Sequence, residues 1–404
     1  MKVVHICSSI RGGAGRAALR LHFALLDAGV DSKILTRWDS DESRFVYKMR
    51  RPFLVKVMER FLIPAGQLKY NAFYKKYVTR TPALTFPDAL YDCSQDPIVQ
   101  SADIINLHWV GNMLNYQKFF DRVHKPIVWT LHDMNPFLGA FHLSSDLHIL
   151  QNDGEAQKIE DELKLKKIRA YKKAKLLTIA PLSRWMETAA LGSPAFSNAP
   201  HTLVRNCVDV SIFTPKSQDE ARKQLGLPEN IKLFLYVSQA VENPKKGYQL
   251  LRQAAEQLPE DCGLIVVGSG TLPAAPRIYN MGRIDDELQL STVYASADAH
   301  ILPSLEDNLP NTMLESLCCG VPVLSFQLGG MMDIINHGQN GLMSAKVSHA
   351  GILELIHQFC SYGVQQNRQQ IAYNARQLFS PEKVAMQYIN IYNRVLSDIV
   401  IPSR

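Results

Sequence analysis

At 404 residues the chain is too long for one ordinary core and reads as two domains of similar size. Hydrophobic residues at 46% and charged ones at 20% are near the averages for soluble globular proteins, which excludes a disordered or fibrous chain. No apolar run reaches the ~18 residues needed to cross a bilayer. The net charge of +6 is modest, but it is unevenly spread.

The opening MKVVHIC enters a strand directly. It lacks the basic region, long apolar core and cleavage site of a signal peptide, so a cytoplasmic location is expected. Strand-like runs at 2–7, 32–36, 103–108, 126–131 and 176–180 alternate with helical segments near 14–28, 115–122, 158–174 and 183–191. The pattern then restarts, with strands at 233–238, 263–268, 299–303 and 321–326 and helices near 246–258, 285–296, 311–319 and 349–361. Alternation of this kind predicts doubly wound parallel sheets, and the restart predicts two of them, joined near Asn206 to Pro215. A last helix runs from Pro381 to about Ile399. The seven cysteines (Cys7, Cys93, Cys207, Cys262, Cys318, Cys319, Cys360) are odd in number and without metal-like spacing, which fits reduced core thiols.

Several segments carry chemistry. Ser9 to Arg16 places Gly12, Gly13 and Gly15 between the first strand and the first helix, where bare amides can meet an anion and Arg16 adds charge. Without a following Lys-Ser/Thr or the G-x-G-x-x-G spacing, a plain tight turn is the competing reading. Val267-Gly268-Ser269-Gly270 is only half a dinucleotide fingerprint. From Arg44 to Arg80 ten basic residues (44, 48, 50, 51, 56, 60, 69, 75, 76, 80) face one acid, Glu59, and are interleaved with aromatic and aliphatic residues. Such a segment either lies on an anionic membrane surface or forms ordinary amphipathic helices with their aromatics in the core. A nucleic-acid partner is not expected, because no recognition module accompanies the patch. The run Lys164 to Lys175, one turn after Glu160, Asp161 and Glu162, reads as solvated i,i+4 pairing. His132-Asp133 ends a buried strand at its carboxyl tip, as His108-Trp109 ends the one before. A lone His is commonly structural, yet this edge is where open α/β sheets bind ligands. His142 and His148 have no companion ligands at metal spacing, so no metal site is expected.

The richest stretch is Ile301 to Leu342. A strand ends in Pro303-Ser304, meets Glu306 and Asp307, opens a helix carrying Glu315 after a polar turn, and returns through Gly320-Val321-Pro322-Val323 to a second strand. Carboxylates and helix N-terminal amides at such an edge suit a nucleotide.

Taken together the chain resembles the retaining family-4 glycosyltransferases of GT-B architecture, close to enzymes of bacterial capsular, exopolysaccharide and lipopolysaccharide synthesis. The resemblance rests on GGAGR at 12–16, TLHDM at 130–134, LSRWM at 182–186, RNCVDVSIFTP at 205–215, KKG at 245–247, VVGSG at 266–270 and PSLEDNLPNTMLESLCCGVPVLSFQLGGMMDII at 303–335. It implies two Rossmann-like domains facing a central cleft. Residues 1–207 would take the acceptor, with 381–404 packing back on them, and 208–380 would take a UDP- or GDP-linked sugar. It further implies that Glu315 accepts the ribose hydroxyls and that Asp307, or the adjacent Glu306, holds the sugar. The amides around Asn308, Leu309, Pro310 and Asn311 would receive sugar and diphosphate, and Lys246 would neutralise the leaving group. The family's upstream Arg has no obvious counterpart in residues 236–240, and Lys245 is the candidate replacement. Gly13 would lie against a phosphate, Asp333 near the base and ribose, and His132 at the sugar and reacting centre. Gly12, Arg16 and His108 would meet a saccharide or lipid-linked saccharide acceptor. No cofactor beyond the donor and no metal is implied, and residues 44–80 would make any contact with the anionic inner face of the membrane. Two other classes remain open: a sugar-nucleotide epimerase of similar architecture and a non-catalytic membrane-associated scaffold. A nicotinamide oxidoreductase fits less well, because neither glycine turn has the full fingerprint.

Overall fold

The computed structural model describes residues 1–51, 53, 55, 70–81 and 83–400, the last two without their side chains. The chain divides into two compact units, Met1–Arg205 together with the chain from Val384 onward, and Asn206–Lys383. In the first, β1 (Lys2–Ile6), β2 (Asp31–Thr36), β3 (Val46–Lys48), β4 (Ile104–Leu107), β5 (Ile127–Leu131) and β6 (Leu177–Pro181) form one sheet in the order β3-β2-β1-β4-β5-β6. In the second, β7 (Lys232–Ala240), β8 (Cys262–Ser269), β9 (Ile278–Gly282), β10 (Ala299–Leu302), β11 (Val323–Phe326) and β12 (Gly341–Ser344) lie in the order β12-β11-β10-β7-β8-β9. Every pairing is parallel. Helices must therefore cover both faces, and the inner strands are apolar almost throughout; β4, β5, β10 and β11 are buried at every position.

Helices begin where a short polar side chain can accept an otherwise unpaired N–H. Asn115, Asp153, Ser183, Ser217, Ser348 and Asn367 each accept from the amide three residues on. The core of the first unit is aromatic. Trp129 stacks on Phe120 at 6.1 Å and meets Tyr171 edge-on at 5.7 Å, and Tyr171 stacks on Phe196 at 5.3 Å. Of the basic-aromatic segment, Tyr70, Phe73 and Tyr77 are buried in this core, so here the amphipathic-helix reading describes the residues, whereas Phe53 is 77% exposed. Leu54, Lys56, Val57, Met58, Glu59, Arg60, Phe61, Leu62 and Lys69 lie outside the described residues. Among the described residues no helix is long and apolar enough to cross a membrane.

In both sheets the chain order reverses between the first strand and the fourth, at β1/β4 and at β7/β10. At such a switch point the loops leave in opposite directions, and the carboxyl edge opens for a ligand.

The last helix, Pro381–Val400, is fixed to the first sheet by a buried polar chain. Tyr392 donates to Asn106 Oδ1 at 2.5 Å, Asn106 Nδ2 donates to Thr130 Oγ1 at 3.0 Å, and Thr130 pairs with the Tyr388 hydroxyl at 2.9 Å. Tyr392→Phe leaves a buried amide oxygen without its partner and is expected to destabilise the first unit by about 1–3 kcal/mol. A urea denaturation midpoint equal to that of the parent would show that this chain does not hold the helix.

Candidate functional site

The second unit gathers three loops at the carboxyl edge beside β7 and β10. Gly247 has φ +73°, and a Cβ there would lie 2.0 Å from the Pro303 carbonyl oxygen, so only glycine lets the two loops come this close. Leu305 N donates to Lys245 O at 2.9 Å across the same seam. The third loop comes in under Asp307. Gly330 N donates to Asp307 O at 3.0 Å, and a Cβ on Gly329 (φ +56°) would be 2.1 Å from that oxygen. The consequence is a pairing between residues 61 apart, in which Lys246 Nζ donates to Asp307 Oδ2, flanked by Ser304 Oγ at 3.4 Å. Of the two adjacent acids, Asp307 is thus the one hydrogen-bonded to Lys246; Glu306 is half-buried next to it.

The helix Asn311–Cys318 starts at Pro310, which supplies no side-chain cap. Its first-turn amides and the positive end of its dipole lie on the Asp307 side of the loop. Asn308, Leu309 and Pro310 are buried, and Asn311 Oδ1 accepts from Asn206 Nδ2 at 2.9 Å. Glu315 is 2% exposed, and Tyr294 donates its hydroxyl to Glu315 Oε2 at 3.1 Å. Asp333 ends the turn Gly329–Asp333 in the third loop and is half-buried, as is Lys245. Ser304 lies in the motif at 303–335, whereas Tyr294 had no motif to mark it in the sequence.

In the first unit the glycine turn opens the helix Gly12–Asp27. Gly12 has φ +75°, Gly15 would drive a Cβ to 2.4 Å from Ser9 O, and a Cβ on Gly13 would meet nothing within 4 Å. Gly15 is therefore needed by the fold, whereas Gly13 keeps an exposed surface through which another molecule can approach the backbone. Asp39 shapes the turn. It accepts from Ser9 Oγ at 2.6 Å and from Ile10 N at 3.0 Å, with Arg11 at 3.1 Å. Arg16 is half-buried on the first turn of the helix.

At the tip of β5, His132 is half-buried, and its Nε2 lies 3.0 Å from His108 Nδ1. His108 is not where an acceptor-binding residue is expected. It is 3% exposed, and its other nitrogen lies 2.9 Å from His5 Nδ1, so both ring nitrogens are taken by histidines. The loop after His132 is held rigidly. Asp133 accepts from Trp109 Nε1 at 2.8 Å and pairs with His142 Nδ1 at 2.5 Å. From the helix Gly154–Tyr171, Glu160 accepts the amides of Gly139 and Ala140 at 2.6 and 2.7 Å, and Lys167 donates to Asn135 O and Leu138 O at 2.5 and 2.9 Å. The basic run is thus only partly solvated. Lys164 does pair with Glu160 and Asp161 at 3.9 and 3.4 Å, but Lys167 is 1% exposed, and burial pushes its ammonium down to about 7. Backbone carbonyls accept its hydrogen bonds in place of water.

Burial also pushes His132 and His22 down to about 4 each. The unfolded chain protonates them near pH 6.5 while the folded unit does not, so their contribution is complete above about pH 6.5 and falls as pH drops toward 4. The expected loss is up to about 1.4 kcal/mol per pH unit for each group. Thermal melting followed by circular dichroism between pH 7.5 and 5 should show this slope, and His22→Gln should make it shallower; equal slopes would contradict it.

The family model described as Glycosyl transferases group 1 matches residues 217–378. A curated relative, N-acetyl-alpha-D-glucosaminyl L-malate synthase of Bacillus anthracis, is 24% identical over 231 residues, 51% of this chain and 59% of that protein. The chain thus spans less than two thirds of the length of the curated relatives it matches. Among solved structures, sucrose-phosphate synthase from Thermosynechococcus elongatus superposes with a TM-score of 0.69 at 18% identity, covering 98% of this chain and all of that one (100%). HepE of Anabaena, solved in complex with UDP-glucose, gives 0.65 at 17%, covering 98% and 100%. These structural likenesses establish the fold, two Rossmann-like parallel sheets of the GT-B class, and the group 1 glycosyl transferase model matches nearly all of the second unit.

Proposed function

We propose that this protein transfers a sugar from a UDP- or GDP-linked donor to a saccharide or lipid-linked saccharide acceptor, with retention of the anomeric configuration, in bacterial surface polysaccharide synthesis. The observation that carries the reading is the pairing of Lys246 with Asp307 beside Glu315 at the β7/β10 switch point. A cation, a fixed acceptor and an uncapped helix start are what a nucleotide diphosphate sugar needs at its phosphates, its sugar and its ribose. The solved UDP and UDP-glucose complexes of HepE support a nucleotide sugar as donor class.

In this reading Glu315 takes the ribose hydroxyls with one carboxylate oxygen, while Tyr294 occupies the other. Asp333 lies toward the base and ribose, and the amides from Asn308 to Asn311 receive the sugar and diphosphate. Lys246, with Lys245 near it, passes from Asp307 to the developing charge on the departing diphosphate; cations and helix amides do this work without a metal. The acceptor is taken by the first unit through Gly12, Gly13 and Arg16, with His132 toward the sugar. Basic residues between 44 and 80 would hold a lipid-linked acceptor at an anionic membrane surface. No side chain is assigned as a covalent nucleophile. The acceptor attacks from the face that the diphosphate leaves, and the diphosphate accepts its proton.

A thermal-shift panel of UDP- and GDP-sugars tests the donor site. A donor at a hundred times its dissociation constant stabilises the folded state by about 2.7 kcal/mol, and Lys246→Ala or Glu315→Ala should abolish the shift. No shift with any donor would sink the reading, and an isomerised nucleotide sugar formed without acceptor would point to an epimerase. Retention is read from the anomeric proton coupling of the product, and a sugar adduct trapped on Asp307 or Glu306 would overturn the same-face attack. Tyr294→Phe should weaken donor binding about two- to tenfold with kcat nearly unchanged, since it loosens Glu315 and touches no reacting atom.

A further inference from the structure

Two cysteines far apart in the sequence meet inside the second unit. Cys262 is the first residue of β8, and Cys360 lies in the last turn of the helix His349–Tyr362. Their Sγ atoms are 3.7 Å apart, although 98 positions separate them along the chain. Neither is in a disulfide. Cys262 is fully buried at 0% exposure, whereas Cys360 is half-buried and so within reach of a small reagent. Tyr362 is 86% exposed, and a Cβ on Gly363 would meet nothing within 4 Å. The chain just past Cys360 is therefore not packed in, and the helix end can yield.

The two thiols are not equivalent. Burial raises both above the ordinary thiol value, and at Cys262 the neighbouring Cys360 and Asp261 raise it further. The Asp261 carboxylate lies 3.6 Å from the Cys262 sulfur, where a second negative charge is disfavoured. At Cys360 the hydrogen bond from the Cys262 thiol works the other way, because an S–H donor stabilises the thiolate it faces. The Lys232 charge also favours that thiolate, while Asp261 and Asp298 oppose it. Cys360 is thus the sulfur placed to attack, and Cys262 the one placed to follow.

We propose that Cys262 and Cys360 form an oxidisable dithiol site, which takes a small-molecule disulfide and is converted to an internal disulfide bond. The Cys360 thiolate attacks one sulfur of the reagent, forming a mixed disulfide and expelling one thiolate. Cys262 then loses its proton, attacks the Cys360 sulfur and expels the second. Two cysteine thiols become one disulfide, and the reagent is reduced to two thiols. Closing the gap from 3.7 Å to a bond of about 2.05 Å needs each sulfur to move by about 0.8 Å. The bond joins the ends of residues 262–360, the segment that carries Asp307, Glu315 and Asp333. Cys262 begins its strand, so the bond forms at the amino edge of the parallel sheet, away from the carboxyl edge where the candidate donor site lies. It therefore staples the second unit without occupying that site, and the proposal does not depend on sugar transfer.

The test incubates the full chain with oxidised glutathione under native conditions at about pH 8, where thiolates begin to form. The reaction is quenched in acid, remaining thiols are alkylated, and the peptides are mapped by mass spectrometry. A peptide linking Cys262 to Cys360 within one chain is expected. The melting temperature should rise by about 4–12 °C and return to its starting value with dithiothreitol, since the bond constrains a long loop of the unfolded chain. Cys262→Ala should abolish both the link and the rise and leave glutathione on Cys360. Cys360→Ser should show neither link nor adduct. Absence of the link in the parent, a lasting glutathione adduct on its Cys360, or a link made only between chains, seen as a dimer on a non-reducing gel, would overturn the proposal. A linked protein that melts no higher than the reduced one would overturn the staple. If Cys262→Ala does not fold, the parent peptide map and Cys360→Ser carry the test.

Discussion

The approach of the Gly247 backbone to the Pro303 carbonyl is the constraint on which the candidate donor site depends. It requires both a positive φ and the absence of a side chain, and it brings together two loops that leave the sheet from strands on either side of the switch point. The other contacts follow from it. With Leu305 bonded to Lys245 O, the next residue along one loop, Lys246, lies opposite Asp307 on the other, and Gly329 supports Asp307 from below. A lysine on a free loop would surrender up to about 2 kcal/mol of side-chain entropy to take up one position. Here the backbone seam and the carboxylate together restrict it before any ligand is present.

The first unit solves a different problem. Its loop after β5 has many backbone groups removed from water, and two ionisable residues of one helix supply their partners: Glu160 accepts two amides and Lys167 donates to two carbonyls. An isolated buried charge would be prohibitive, but one that replaces water for several backbone groups is tolerable when its geometry is good. The same shielding from water keeps the His5, His108 and His132 rings neutral. Rigid backbone and uncharged imidazoles therefore have one physical origin in this unit.

Much of the fold was legible in the sequence, because inner strands of a parallel sheet are buried on both faces and read as unbroken apolar runs. The strands that escaped notice were β3, β9 and β12, all at sheet edges. Val-Tyr-Lys, Ile-Tyr-Asn-Met-Gly and Gly-Leu-Met-Ser carry too little apolar signal, and they are strands chiefly because a neighbour offers its hydrogen bonds. Within the candidate site, Glu315, Asp307 and Lys246 could be singled out through the family resemblance, but the contact between Lys246 and Asp307 could not be read from spacing. Asp39 and Tyr294 left no mark at all, and Glu160 and Lys167 read only as part of solvated i,i+4 pairing. A polar residue's burial depends on distant partners, which is why Lys167 looked like one more member of a solvated run.

Most of the side chains given a role have a second polar group fixing them. Asp307 holds Lys246, Tyr294 holds Glu315, Asp39 holds the turn that presents Gly13, and His108 holds His132. In the proposed reaction, charge develops on a departing diphosphate, and groups that must first reorient lose much of their stabilising effect in doing so. Holding a group through a partner outside the substrate contacts, as Tyr294 holds Glu315 and His108 holds His132, shifts that ordering into folding. It also explains why the partners are so varied, an acid, a phenol, a carboxylate on backbone amides and an imidazole. Each is matched to the one atom of its client that it occupies.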